Sequence, residues 1–319
     1  MKKSVLVLGD INVDIIGRFD GFPVPGGSVY SEKPILNPGG SGLNTFVGLK
    51  KLNVDASFET MIGNDLFGDY IKVCLSELGI EFTPKVSSSY PTGVVFSLSA
   101  QNERTFFSFR KNAADIHMTC EDLSQVYESP DLLYLTGVSI VEGAETFHTF
   151  LEAVKKAKRS GTKIFFDPNM RKTDPVSIER IEQVIPYVDV FLPAQDELTV
   201  LFSKSRKFGF CLDLLDAGIS EIWIKKGAKG CSFISGDFSI DFPASKVKVL
   251  DCTGAGDAFN AAVVWGHVNE LDEKEIGTYA NVYAGMSTER IGAATSYPDR
   301  ESMLKSEYYK SIKMGVKVL

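Results

Sequence analysis

The stretch DLLYLTGVSIVEGAETFHTFLEAVKKAKRSGTKIFFDPN, Asp131–Asn169, holds a strand-length apolar run, a helix-length amphipathic segment and a second apolar run. DLLYLTG (Asp131–Gly137) and KIFFD (Lys163–Asp167) are short and continuously apolar, as strands covered on both faces are. A helix near Ala144–Ser160 separates them, so the unit reads as strand, helical crossover, strand. The basic run KKAKR (Lys155–Arg159) closes that helix, where cations favour the dipole, and reads as a solvated face.

The same alternation continues outward. Upstream lie SVLVLG (Ser4–Gly9), LNTFVGLKKL (Leu43–Leu52), a run at Ala56–Ile62 and LFGDYIKVCLSEL (Leu66–Leu78). Downstream lie a helix near Ser177–Tyr187, VDVFLP (Val188–Pro193) and EIWIKKG (Glu221–Gly227). This pattern predicts a mostly parallel sheet covered by helices, with ligands bound beyond the carboxyl ends of the strands. Gly9-Asp10, Asp167-Pro168-Asn169 and Lys226-Gly227 fall at those ends. Two stretches break the alternation: Ile11–Leu36, rich in proline and glycine, and TGVVFSLSAQNERTFFSFR (Thr92–Arg110), which reads as two strands joined by a polar turn at Gln101–Arg104. They are expected to project as a small β-sheet lid, an edge hairpin without movement being the alternative. No repeat, low-complexity tract or linker divides the 319 residues, so one main domain spanning 1–319 is expected, with lid segments near 11–36 and 92–110.

Charge and cysteine usage narrow the function. A formal net charge of −7 offers no field for nucleic acid or an anionic membrane. The five cysteines have no C-x-x-C spacing and the three histidines do not cluster, which argues against a zinc site or a disulfide framework. The initial apolar run is cut by Gly9 and Asp10, too early for a signal peptide, and no stretch approaches the roughly 18 apolar residues of a membrane span. A soluble cytoplasmic protein with reduced thiols is expected.

VLDCTGAGDAFN (Val249–Asn260) places unobstructed backbone beside an acid at the start of an apolar helix. The amides of Gly254, Ala255 and Gly256, with the positive helix end, suit a phosphate or a developing anion. Asp257 in the first turn reads as a base for an incoming hydroxyl or as an ordinary capping aspartate, and its position at a helix N-terminus predicts a lowered pKa. No G-x-x-x-x-G-K-[ST] or G-x-G-x-x-G accompanies it. A second glycine-rich element, NPGGSGLN (Asn37–Asn44), also opens a predicted helix; Gly39, Gly40 and Asn44 suit a polyhydroxylated ligand.

With these motifs in this order, from GDINVD (Gly9–Asp14) to IGAATSYP (Ile291–Pro298), the chain resembles the ribokinase-like phosphofructokinase-B family of carbohydrate kinases. The resemblance implies a three-layer α/β/α fold with a small β-sheet lid that often also serves as a dimer interface. It implies ATP-dependent transfer to a primary hydroxyl of a sugar, with Asp257 as base, Gly254–Gly256 as anion hole, and Asn12, Asp14, Gly39, Gly40, Asn44 and Asn169 contacting the sugar. Lys225, Gly227 and Gly230 in IKKGAKG would lie beside the ATP ribose and Asn281 along the adenine. Asp251, Thr253 and the segment Arg290–Ser296 match positions that hold a potassium ion in many members. The family's N-x-x-E appears as PAQDEL, with Ala194 in place of Asn and Glu197 retained to act on Mg²⁺, directly or through water.

Arginine grips a carboxylate with two prongs, so Arg110 and Arg171 point to a sugar acid. Their placement resembles that in 2-keto-3-deoxygluconate kinases, whereas FDPNMR also resembles fructokinases. Ribose or nucleoside phosphorylation within the same family is the alternative, and a catalytically silent sugar or nucleotide sensor is the reading from a different class.

Overall fold

The computed structural model describes residues 3–31, 33–100, 103–124, 129–170, 173–236 and 238–318. Its strands are β1 (Val5–Leu8), β2 (Asn12–Phe19), β3 (Ile35–Gly39), β4 (Ala56–Glu59), β5 (Met61–Gly63), β6 (Lys85–Ser87), β7 (Gly93–Ala100), β8 (Glu103–Phe109), β9 (Leu132–Thr136), β10 (Lys163–Asp167), β11 (Val190–Phe191), β12 (Glu221–Lys225), β13 (Cys231–Ser235), β14 (Phe238–Phe242) and β15 (Lys317–Val318). The helices are α1 (Ser41–Lys51), α2 (Leu66–Glu77), α3 (Gly137–Glu142), α4 (Ala144–Arg159), α5 (Pro175–Val184), α6 (Gln195–Lys204), α7 (Cys211–Asp216), α8 (Ala255–Val268), α9 (Glu273–Ser287), α10 (Arg300–Leu304) and α11 (Tyr308–Gly315).

The main sheet has nine strands in the order β15-β14-β13-β12-β11-β10-β9-β1-β4. From β12 to β4 all neighbours are parallel; β13, β14 and β15 add an antiparallel edge. Alternate residues of one strand enter opposite cores, as the two-residue period of a pleated strand requires. Val5 and Val7 join one core with Phe46 of α1, Ile71 of α2, Phe259 and Val263 of α8 and Tyr283 of α9. Leu6 and Leu8 join the other with Phe150 of α4, Ile181 of α5, Leu201 of α6 and Leu214 of α7. Two apolar faces on one sheet therefore produce the three layers. Helix α8 is buried at every residue from Asp257 to Gly266, which matches its apolar sequence and fixes the GAGD turn against the sheet.

The two irregular stretches form a separate four-stranded sheet, β3-β2-β7-β8. Strands β2 and β7 pair in parallel, and β7 and β8 form the expected hairpin. The expected turn is shorter than read, because Glu103 and Arg104 already belong to β8 and residues 101–102 lie outside the described residues. The first lid segment runs past Leu36: β3 continues to Gly39, so the small sheet leads straight into α1. The run Ala56–Ile62 divides, β4 pairing with β1 and β5 with β6. Among the described residues no helix is long and apolar enough to cross a membrane.

Candidate active site

Helix α8 begins just after Gly254, whose φ of 75° is left-handed. A Cβ there would stand 2.6 Å from Ala293 Cβ and 2.7 Å from the Tyr297 hydroxyl oxygen, so both the turn and its packing require glycine. The Tyr297 hydroxyl donates to the Gly254 carbonyl at 2.7 Å, pinning the turn. Of the three amides expected to face an anion, that of Ala255 turns back to the Cys252 carbonyl at 3.2 Å. Those of Gly254 and Gly256, and that of Asp257, have no protein acceptor among the described residues. Open N–H groups at the positive end of a 14-residue helix have the chemistry to hold an anion.

Asp257 is buried beside these amides. Its Oδ1 accepts from Ser41 Oγ at 2.6 Å and its Oδ2 from Asn44 Nδ2 at 2.8 Å, both on the first turn of α1. The helix-terminus expectation of a lowered pKa is reversed: burial raises the carboxyl from 3.8 to about 7, against the pull of the Ser41 and Asn44 donors, with the charge of Asp167 adding to the rise and Lys225 opposing it. Removal from water outweighs the helix end here. A carboxylate poised near neutrality suits a general base. Asn44, expected to touch the sugar, thus holds Asp257 through its nitrogen, and its Oδ1 is buried without a partner among the described residues. Ser41 was not singled out in the sequence, where it reads as a spacer in the glycine element.

The start of α1 is built differently. Gly40 has φ 105°, and a Cβ would stand 2.6 Å from the Asp10 carbonyl oxygen. The Asp10 side chain accepts from the amides of Ser41 and Gly42, each at 3.0 Å. Asp10 is a structural acid that the sequence reading passed over, although its place at the carboxyl end of β1 was visible. Pairing of β2 with β3 sets Asn12 opposite Gly39 and Asp14 opposite Asn37. Asn12 Nδ2 donates to Asp14 Oδ1 at 2.7 Å, and Gly39 packs directly on the Asp14 carboxylate, where a Cβ would come within 2.6 Å of Cγ. The expected sugar contacts Asn12, Asp14, Gly39, Gly40 and Asn44 are therefore one neighbourhood joined to Asp257.

A third group comes from β10 and β12. Lys225 Nζ lies 2.8 Å from Asp167 Oδ2 and 3.4 Å from Asn260 Oδ1, one turn along α8 from Gly256. Asn260 Nδ2 also donates to Asp167 Oδ2 at 2.6 Å and to the Tyr134 hydroxyl oxygen at 3.0 Å. Burial would lower the lysine's pKa, but Asp167 and then Glu197 hold it above its ordinary value. Asn169 follows with φ 34°, uncommon for a side-chain-bearing residue, and its amide donates to Asp167 Oδ1 at 3.1 Å.

Glu197 is half-buried rather than an exposed helix residue. Its Oε1 accepts from the Met170 amide at 2.8 Å and its Oε2 from the Ala194 amide at 2.7 Å, tying α6 to the turn after β10. Burial, then the charge of Asp167, raises its pKa. Asp251 takes Thr253 N at 3.0 Å and Thr253 Oγ1 at 2.6 Å on one oxygen and the Gly292 amide at 3.1 Å on the other, joining the two loops expected to flank a monovalent cation. Among the described residues no group of three or more His, Cys, Asp or Glu forms a metal cluster. Gly227 and Gly230, with φ 57° and 93°, shape the turn after β12. Asn281, on α9, donates to Cys231 Sγ at 3.0 Å and to the Gly277 carbonyl at 2.8 Å.

Arg110 departs from expectation. It is buried, with Nη2 2.6 Å from Asp115 Oδ2, Nε 2.7 Å from Glu142 Oε2 and Nη1 3.0 Å from the Ile11 carbonyl oxygen. The carboxylates it grips are the protein's own. Sequence could not reveal this, because Glu142 and the Ile11 carbonyl reach it only through the tertiary fold. Arg171 lies outside the described residues.

A model of the pfkB carbohydrate kinase family matches residues 2–300. A fructokinase from Vibrio alginolyticus is 28% identical, with 95% of this chain and 98% of that protein covered. The solved ribokinase of Thermotoga maritima is 27% identical with a TM-score of 0.80, covering 95% of this chain and 99% of that one. The fold also matches the fructokinase of Xylella fastidiosa with bound ATP, with a TM-score of 0.84 at 21% identity over 95% of this chain and 98% of that one.

Proposed function

The chain belongs to the pfkB family of carbohydrate kinases, and on that premise we propose that it transfers the γ-phosphoryl group of ATP to a primary hydroxyl of a small neutral sugar, a ketohexose of the fructose type first. One observation carries the reading: a buried carboxyl with its pKa raised to about 7, Asp257, adjoins amides that have no protein acceptor among the described residues, at a helix N-terminus. In the reaction the sugar hydroxyl oxygen forms a bond to the γ-phosphorus while the bond to the β–γ bridging oxygen breaks, its electron pair leaving with ADP. The hydroxyl proton passes to Asp257, each of whose oxygens holds one donor, Ser41 or Asn44, and keeps a second lone pair to receive it. The amides of Gly256 and Asp257 receive charge developing on the phosphoryl oxygens.

ATP-bound Mg²⁺ would neutralise phosphate charge. The residues fit a water-rich metal rather than a protein cage, because both Glu197 oxygens already hold backbone amides. Lys225, Gly227, Gly230 and Asn281 remain the proposed nucleotide side, and the Asp251–Thr253 loop a proposed K⁺ site. A neutral sugar is preferred to a sugar acid because Arg110 is taken by Asp115 and Glu142. The Thermotoga ribokinase likeness supports ribose as the second reading. A second copy is proposed to meet this one through the small sheet, whose outer strand β8 exposes Phe106, Phe107 and Phe109; molar mass by light scattering tests it, a monomer ruling it out.

Coupled ADP formation measured against fructose, ribose, nucleosides and 2-keto-3-deoxygluconate tests the function. Fructose should give the highest kcat/KM. Preference for the acid would overturn the neutral-sugar reading, and ligand binding without ADP formation would establish a silent sensor.

A further inference from the structure

We infer that the ammonium group of Lys225 is a catalytic contact for the transferring phosphoryl group. The inference rests on the kinase reading and moves Lys225 from the ribose neighbourhood to the reacting end of the nucleotide.

The geometry is specific. Lys225 ends β12, and its side chain is 13% exposed. A Cβ built on Gly256 would stand 3.9 Å from Nζ, so the ammonium abuts the backbone whose amide has no protein acceptor. Two of its three N–H groups are occupied, by Asp167 Oδ2 at 2.8 Å and Asn260 Oδ1 at 3.4 Å. The third has no acceptor among the described residues. A buried ammonium with one open N–H beside an open helix end is a site for an oxyanion.

The neighbours strengthen this. Ala194, where an asparagine is expected, is the backbone bridge partner of Lys225 and brings no polar side chain. Glu197 spends both oxygens on amides of Ala194 and Met170. Asp167 is also held by Asn260 Nδ2 at 2.6 Å and by the Asn169 amide at 3.1 Å, so it keeps hydrogen-bond partners when the lysine turns toward phosphate. Gly256, against which Nζ lies, directly precedes Asp257 in the chain, and the charge of Lys225 correspondingly favours the ionised form of that carboxyl.

Replacing Lys225 alone would strand the Asp167 charge in the interior, so the test removes the lysine in a background where that charge is absent. The variants are the single Asp167→Asn and the double Asp167→Asn with Lys225→Met, compared for kcat with the best sugar of the panel. A phosphoryl contact predicts that the double variant has a kcat about a hundredfold below that of the single one, the scale of one preorganised donor to a transition state. A lysine that merely balances Asp167 predicts equal kcat in the two variants, and that result overturns the inference. Calorimetry with ADP and with the β,γ-imido analogue of ATP decides the case if the single variant has no measurable turnover: the affinity ratio should fall at least about tenfold without the lysine, and an unchanged ratio overturns the inference. Wild-type protein inactive on every sugar would overturn the proposed function, while the affinity ratio would still judge Lys225.

Discussion

Helices α1 and α8 both begin after a glycine of positive φ, 105° at Gly40 and 75° at Gly254, and neither N-cap residue supplies a side-chain hydrogen bond. In α1 the first amides, of Ser41 and Gly42, are claimed by the Asp10 carboxylate. In α8 the amides of Gly256 and Asp257 have no protein acceptor among the described residues. One positive helix end is thus neutralised within the protein and the other is open to a ligand. The closed helix supplies the donors that hold Asp257 of the open one, through Ser41 and Asn44. A glycine-rich helix start is an anion site only where no carboxylate of the protein has already taken its amides.

The strongest way to break this contrast is to disarm the open end. Asp257→Asn should lower turnover by at least about a hundredfold, the usual scale of a positioned base, and near-normal turnover would remove Asp257 from that role. The same variant should gain thermal stability over wild type, more at alkaline than at mildly acidic pH. The folded protein keeps a proton on Asp257 between pH 3.8 and about 7 that the unfolded chain has released, so this group's contribution to stability is fully present below 3.8 and lost as pH rises through 7. A pH-independent stability difference would count against a buried, neutral carboxyl.

The closed end should respond in stability instead. Asp10→Ala strands two buried amides and should cost about 1–3 kcal/mol in urea unfolding, with kcat/KM per folded molecule falling less than about tenfold. A greater loss of activity than of stability would mean that Asp10 belongs to the chemistry.

Smaller changes sharpen the link between the two ends. The acidic limb of the kcat/KM profile should lie near pH 7, because the base must be ionised. Ser41→Ala should move it upward by about half a unit to one unit, since the lost hydroxyl favoured the carboxylate. An unmoved limb would assign Ser41 to packing. The smallest effect is expected at Ala194→Asn, which should lower the half-saturating Mg²⁺ concentration by no more than about threefold, water already supplying the contact; an unchanged titration would show that the amide adds nothing.

Much of the architecture was legible because apolar runs covered on both faces leave few alternatives to strands. β1, β9, β10 and β12 fall within the runs that predicted them, as do α4 and the β7–β8 hairpin, while α1 starts two residues ahead of its run, at Ser41. VDVFLP was read as a longer strand than β11, which pairs only at Val190 and Phe191, because apolarity marks burial rather than pairing. The antiparallel edge of β13 to β15 was not read at all. Strand β15 is two residues long and comes from the far end of the chain, and nothing local announces its partner.

The glycine turns, the acid after them and the order of the motifs belong to the sequence alone, because backbone exposure and helix starts are local properties. They determined the family and singled out Asp257. The protonation of Asp257, the partners of Arg110 and those of Lys225 were decided only by tertiary structure. Each depends on charges and burial supplied by residues far away in the chain: Ser41, Asn44 and Asp167 for Asp257, Glu142 and the Ile11 carbonyl for Arg110, Asp167 and Asn260 for Lys225. Electrostatic energies inside a protein follow distance and desolvation, neither of which is a function of sequence spacing.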